Sequence, residues 1–137
     1  MAHDPDCIFC KIVAGELPSL VVAEDERTVA FLDVNPATPG HTIVVPREHS
    51  ADLHAIGPED LAACAAMGQR VAGLLVDRLG AAGVNLLNNV GAAAWQTVFH
   101  FHLHVVPRYA DDPLTLPWVP APGDRDEIQR THGRLTA

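Results

Sequence analysis

The chain has 137 residues, 48 % of them apolar, and a formal charge of −8 with histidine counted neutral. That length and apolar content suit one globular domain with its own core. The acidic balance speaks against a non-specific nucleic-acid binder, which carries a basic face, but allows a small anionic ligand at a locally positive site.

The polar start MAHDPDC lacks the apolar segment of a secretory signal. CIFCKIVAGELP (7–18) follows as a short helical turn closed by Gly15. Leu20–Ala23 and Thr28–Asp33 are β-rich and flank the turn-like EDER, which predicts a hairpin. NPATPG (35–40) is a loop by its Pro, Asn and Gly, and HTIVVP (41–46) is a strand ended by Pro46. Pro58 opens a long helix running to about Leu79, with Glu59 and Asp60 in its first turn. Leu61, Ala65, Val71, Leu74 and Leu75 form its apolar stripe, and Gly80 and Gly83 end it. Cys64 reads as a small core residue. Val84–Gly91 is a strand running into a Gly/Ala loop, and Val98–Pro107 is a further strand. From Tyr109 the chain is proline-rich and is expected to lie extended on the surface. A last short helix follows, with Asp124 and Glu127 spaced as a capping pair. This order predicts an α+β fold with an antiparallel sheet. No stretch approaches the roughly 20 apolar residues of a membrane span. The odd number of cysteines fits a reducing compartment, so a cytoplasmic protein without a membrane partner is expected.

The segment VFHFHLHVVPR (98–108) carries the chemistry. Alternate residues of a strand share a face at roughly 6–7 Å, which predicts His100, His102 and His104 on one face. Phe99, Phe101, Leu103 and Val105 would then face the core. Such a trio can chelate a metal, or one imidazole can attack phosphorus to form a phosphorus–nitrogen bond while the others orient it. The preceding NNVGAAAWQTV favours the second reading. Its Gly/Ala loop leaves backbone N–H groups free for phosphate oxygens, and Gln96 and Thr97 can hydrogen-bond a phosphate or a leaving group.

The run Gln96-Thr97-Val98-Phe99-His100-Phe101-His102-Leu103-His104-Val105-Val106-Pro107 resembles the signature of the histidine triad (HIT) superfamily. CIFCKIVAGELP, AFLDVNPATPGHTIVVPREH and the Asn89–Gly91 segment are similar to further family blocks in the same order, so the resemblance covers about residues 7–108. It looks closest to the Hint-like branch of nucleotide-binding hydrolases. It implies a HIT-like fold with an antiparallel sheet of about five strands, one long helix and one or two short ones, paired across a homodimer. Residues 1–137 would form a single HIT domain with a Pro-rich tail from 109. It also implies chemistry at the α-phosphate of a purine nucleotide. By this resemblance His102 is the nucleophile and His104 contacts the phosphate, with His100 completing the triad and His41 packed near it. Gln96 and Thr97 match positions touching the phosphate or leaving group, and Asn89 an asparagine near the phosphate. Asp33 matches the acid that accepts both ribose hydroxyls, and Phe9, Ile12, Phe31 and Val34 match the apolar slot around the base. One departure stands out: Trp95 occupies a position that is glycine in many members. It would narrow the leaving-group side, offer a stacking face to a second base, or only pack at the dimer edge.

Cys7-x-x-Cys10 alone could be a redox pair or two core thiols. In some family members the equivalent pair joins a histidine after the strand-ending proline and the first triad histidine to hold a structural zinc. The corresponding positions here are Cys7, Cys10, His49 and His100, and no metal is required for catalysis. His3, His54 and His132 read as surface residues. The expected activity is that of a nucleotidyl hydrolase or transferase cleaving a phosphoramidate, adenylate or dinucleoside polyphosphate through a nucleotidyl-histidine, with release of a nucleoside monophosphate. The alternatives are a nucleotide-binding scaffold or adaptor with vestigial activity and, further off, a metal-dependent oxygenase.

Overall fold

A computed structural model describes residues 2–137. Helix α1 (Ile8–Val13) precedes strands β1 (Val21–Glu24), β2 (Thr28–Leu32) and β3 (Thr42–Pro46). The long helix α2 (Pro58–Leu79) leads to β4 (Gly83–Leu87), a 3₁₀ turn at Ala92–Ala94, β5 (Leu103–Arg108) and helix α3 (Arg125–Thr136). The five strands form one sheet in the order β1-β2-β3-β5-β4, and every neighbouring pair is antiparallel. Among the described residues no helix is long and apolar enough to cross a membrane.

The strand sequences explain the layering. β2 and β3 are apolar at nearly every position, so both of their faces must be covered. Ala30 and Val44 turn to one face, where they meet Cys64, Met67, Val71 and Leu75 of α2 together with Phe101, Leu103 and Val105. Val29, Phe31, Ile43 and Val45 turn to the other, where α1 lays down Cys7, Phe9 and Cys10. Helix α2 begins and ends as its sequence dictates, with Pro58 in the first turn and Gly80 left-handed at φ 68°, bonding back to the Leu75 and Val76 carbonyls. Its buried stripe is Cys64, Met67, Gly68, Val71 and Leu75. Ala65, expected inward, is exposed and Leu74 is only half-buried, because the face set by Cys64 and Met67 lies about a residue off the expected one.

Two further expectations need correction. The strand expected over Val98–Pro107 begins only at Leu103. Side chains claim the backbone before it: the Val98 carbonyl accepts from the Gln96 amide, the His100 carbonyl from the His102 ring, and the His102 carbonyl from the Asn88 amide. Strand alternation therefore does not reach residue 99, and Phe99 is 52 % exposed while Phe101, Leu103 and Val105 are buried. At the last helix Asp124 does cap, accepting from the Asp126 N–H at 3.4 Å, but no returning bond from Glu127 occurs among the described residues. Helix α3 buries no residue.

Beyond β5 the chain is pinned before it leaves the body. The Arg108 guanidinium grips both Asp112 carboxylate oxygens at 2.9 Å, and the N–H groups of Tyr109 and Leu114 donate to the same carboxylate. Arg108 holds the Asp112 carboxyl well below its usual range.

Candidate active site

The two-residue spacing of the histidines puts three similar rings on one side of the segment, and their hydrogen bonds decide what each can do. The His102 ring donates from Nδ1 to the His100 carbonyl at 2.8 Å. We assign its proton there, which leaves the Nε2 lone pair free. His41 accepts the Ala37 N–H at Nδ1, 3.0 Å away, so its proton belongs on Nε2, which lies 2.9 Å from His104 Nδ1. That bond in turn places the His104 proton on Nε2. The result is one imidazole offering a lone pair and its neighbour offering an N–H.

Burial keeps these rings neutral. It pushes His104 down to about 4, with His102 and His41 adding to the effect. It lowers His102 and His41 as well, against the opposing pull of Asp33 on both. Asp33 sits at the end of β2 with Oδ2 3.6 Å from His41 Nε2, and its Oδ1 accepts the Asn35 N–H at 2.8 Å.

Helix α1 and strand β2 wall a cavity of about 330 Å³ in front of this group. Of the residues singled out from sequence, Phe9, Ile12, Phe31, Asp33, Val34, Thr97, His102 and His104 line it. Phe9 sets its edge against both Phe31 and the His102 ring, with centroids 5.5 and 5.0 Å apart. Val34 stands at the rim, 89 % exposed.

Three other candidates lie elsewhere. Asn89 and His41 line a second cavity on the far side of His104. Gln96 lines neither. Its amide is spent inside the protein, donating to the Ala51 and Val98 carbonyls and accepting the Gly91 N–H at 2.8 Å. In this structure these bonds make Gln96 a brace that fixes the 91–98 loop. Sequence reasoning also missed Asn88, whose amide donates to the His102 carbonyl at 2.8 Å. Its Oδ1 is buried without a hydrogen-bond partner among the described residues. The NN doublet was the only signal, and it does not say which asparagine faces His102.

His100 belongs to a different cluster. Its Nε2 donates to the Pro46 carbonyl at 2.9 Å, so its Nδ1 lone pair points at Cys7 Sγ (3.4 Å), Cys10 Sγ (3.5 Å) and His49 Nδ1 (3.2 Å). Cys10 Sγ and His49 Nδ1 are 3.4 Å apart. A tetrahedral zinc with two thiolates and two imidazoles has nitrogen–nitrogen and nitrogen–sulfur edges of about 3.3–3.6 Å, close to these four separations, and all four donor atoms lie within 4.8 Å of one another, so the set suits one ion. The Pro46 contact supplies the outer hydrogen bond that orients a ligating imidazole. A second trio, Asp33, His41 and His104, also comes close enough to hold a metal, but its two rings already satisfy each other.

A five-stranded antiparallel sheet that delivers three histidines in tandem beside an apolar cavity with one carboxylate defines the histidine triad class. The HIT domain model matches residues 14–111, and the chain belongs to that family. A zinc-bound histidine triad family protein from Mycobacterium smegmatis is 46 % identical, with a TM-score of 0.78 over 91 % of this chain and 88 % of that one. A histidine triad nucleotide-binding protein from Candida albicans is 32 % identical, with a TM-score of 0.83 over 96 % and 95 %. The adenylylsulfatase HINT3 of Arabidopsis thaliana is 39 % identical over 109 residues, 80 % of this chain but 55 % of that longer protein.

Proposed function

We propose that the protein is a nucleotidyl hydrolase or transferase that cleaves at the α-phosphate of a purine nucleotide through a covalent nucleotidyl-His102 intermediate. The observation that carries this reading is the Nδ1 bond of His102 to the His100 carbonyl, which aims a neutral Nε2 lone pair into the cavity that also holds Asp33. A relative named as nucleotide-binding and another named as an adenylylsulfatase support the substrate class.

In this reading Phe9, Ile12, Phe31 and Val34 enclose the base, and Asp33 accepts the ribose hydroxyls. Thr97 and the His104 Nε2–H donate to phosphate oxygens. His102 Nε2 attacks phosphorus, the bond to the leaving group breaks, and the leaving group keeps the electron pair and takes up a proton. Water then attacks phosphorus, the phosphorus–nitrogen bond breaks and one proton is released, so the cycle balances. The neutral ring is held in place before the reaction begins, which is the form that positioning catalysis takes. Cys7, Cys10, His49 and His100 would hold a structural zinc, which when bound ties α1 and the segment after β3 to the start of the triad. Residues 1–137 act as one domain with its core in 7–108, in a cytoplasmic homodimer. Phosphoramidates, adenylates and dinucleoside polyphosphates all present the required bond.

Quench of the enzyme in alkaline denaturant, with a nucleotide labelled at the α-phosphate, tests the intermediate. An alkali-stable, acid-labile label on the wild-type protein that is absent from His102→Ala is expected. Steady turnover with no trapped label under single-turnover conditions would overturn the covalent route.

A further inference from the structure

The β4–β5 ladder stops short of the residue it would next reach. Its pairs run from Gly83 opposite Arg108 to Leu87 opposite His104, and the same register would set Asn89 opposite His102. Strand β5 instead begins at Leu103, and the chain bends at 98–100. The side chain of Asn88 stands in for the missing rung: its Nδ2 donates to the His102 carbonyl at 2.8 Å. On the other side the Phe101 N–H donates to the Ser50 carbonyl at 2.7 Å. The backbone around His102 is thus gripped from outside the strand at two points. That leaves the His100 carbonyl to the His102 ring, which donates to it from Nδ1 at 2.8 Å. In a regular ladder the carbonyls point across to the neighbouring strand and side chains stand perpendicular to the sheet. A ring there could not close onto the carbonyl two residues back.

Asn88 does this at a cost. Its Oδ1 is the one buried side-chain nitrogen or oxygen without a hydrogen-bond partner among the described residues, and a buried polar atom left unpaired opposes folding. An amide kept for the fold has both ends paired, as Gln96 has: its nitrogen donates to the Ala51 and Val98 carbonyls and its oxygen accepts the Gly91 N–H. Asn88 has one end paired, and that end holds the peptide of His102.

We propose that Asn88 is a positioning residue: by holding the His102 carbonyl outside the ladder it keeps the His102 ring on the His100 carbonyl, and so in the tautomer that presents Nε2. The inference rests on the proposed attack by His102. Asn88 lines neither cavity, so its effect runs through the backbone. A neutral imidazole can carry its proton on either nitrogen. A ring protonated on Nε2 has no lone pair facing the first cavity and cannot attack phosphorus there. Without the Asn88 amide the ladder can run on to the pair of Asn89 and His102, which draws the ring off the His100 carbonyl and frees the proton to move.

The test uses Asn88→Leu and Asn88→Ala, neither of which has the N–H donor. Both also remove the unpaired oxygen, and the freed His102 carbonyl can take the next rung, so the melting temperature should stay within about 4 °C of the wild type. Two readouts follow that a merely structural residue would not move. The first is long-range proton–nitrogen correlation spectra of isotope-labelled protein at neutral pH, with the His102 signals assigned by their loss from His102→Ala. They should show the proton on Nδ1 in the wild type and its transfer, wholly or in part, to Nε2 in both variants. The second is turnover of adenosine 5′-phosphoramidate. Its kcat should fall by about ten- to a hundredfold, the scale of a misplaced reacting group, while KM stays within about twofold, the split of an interaction felt only in the attack. The proton kept on Nδ1 in both variants, or kcat unchanged in both, overturns the assignment and leaves the His102 chemistry standing. A melting temperature more than about 8 °C lower in both variants makes Asn88 a residue of the fold and overturns it too. A wild-type His102 ring protonated on Nε2 overturns both readings.

Discussion

His100 and His102 are two residues apart, both buried and both held neutral, yet they face different tasks. The difference lies in which carbonyl takes the ring proton. His100 gives its Nε2 proton to Pro46 and presents Nδ1 to two thiols and a second imidazole. His102 gives its Nδ1 proton to His100 and presents Nε2 to a cavity. A ring with one nitrogen committed has only one function left, and neighbouring backbone chooses which. The lesson is that the tautomer, set by one hydrogen bond, turns one histidine to a thiol and imidazole cluster and its neighbour to a cavity within a single short run.

The sharpest way to break this contrast is to remove each ring in turn. His102→Ala should cut turnover by at least about 10³-fold while nucleotide binding and the melting temperature stay near the wild type. His100→Ala should do the reverse in part, lowering the melting temperature strongly and leaving measurable turnover at low temperature. Steady-state rates and thermal melts of the two variants check the pair. More than about a hundredth of wild-type rate in His102→Ala would remove the case for a nucleophile.

Metal removal sharpens the same contrast. Protein purified without a metal-affinity step should carry about one zinc per chain, the stoichiometry of a closed four-ligand site. Cys7→Ser/Cys10→Ser should lose it and melt at least about 10 °C lower, the shift that about 3 kcal/mol produces in a domain of this size. Elemental analysis beside calorimetry decides. Zinc retained without both thiols would show that the ion sits elsewhere.

On the cavity side of the contrast, Asp33→Asn should weaken a ribonucleotide by about tenfold and the matching 2′-deoxyribonucleotide by clearly less, because the amide is a poorer acceptor for paired hydroxyls. Calorimetric titration of both nucleotides into His102→Ala, which cannot turn them over, isolates binding. Equal losses for both sugars would remove Asp33 from the ribose.

The buried rings also predict a pH response. His104 titrates at about 4 in the folded chain and near 6.5 when unfolded. Above the unfolded value both states hold the ring neutral. As pH falls from about 6.5 towards 4 the unfolded state gains a proton that the folded state refuses, so stability declines through that window. Denaturant melts of the wild type should weaken over this range, and His104→Gln should flatten the slope. An unchanged slope would mean that the ring is not held neutral by burial.

Much of this was legible in the sequence because it depends on spacing. The α2 boundaries and the β1–β2 hairpin follow from residue types at fixed intervals, each with a local cause such as Pro58 or Gly80, whereas the Cys7, Cys10, His49 and His100 quartet came from the resemblance to the family. What spacing could not carry was anything decided by long-range hydrogen bonds. Period-two alternation predicts Phe99 inward, but Asn88 and Gln96 spend the strand's carbonyls and turn it out. Gln96 reads by position as a phosphate ligand, and its bond to the Ala51 carbonyl, 45 residues earlier in sequence, is invisible before the chain folds. Asn88 and Asn89 are indistinguishable as letters and separate only when the chain folds back to His102.

Trp95 gives the smallest expected effect and a counter-intuitive one. A large aromatic replaced by glycine normally costs stability through lost packing and added chain entropy. Here the ring is mostly exposed, so little packing is lost, while the backbone at φ 73° is relieved of a crowded conformation. Left-handed geometry costs a non-glycine residue about 1–2 kcal/mol, and glycine's extra freedom in the unfolded chain returns roughly half of that. Trp95→Gly should therefore raise stability by up to about 1 kcal/mol, or leave it level, as read by thermal or denaturant melts. A melting temperature several degrees below the wild type would instead make Trp95 a packing residue of the 91–98 loop.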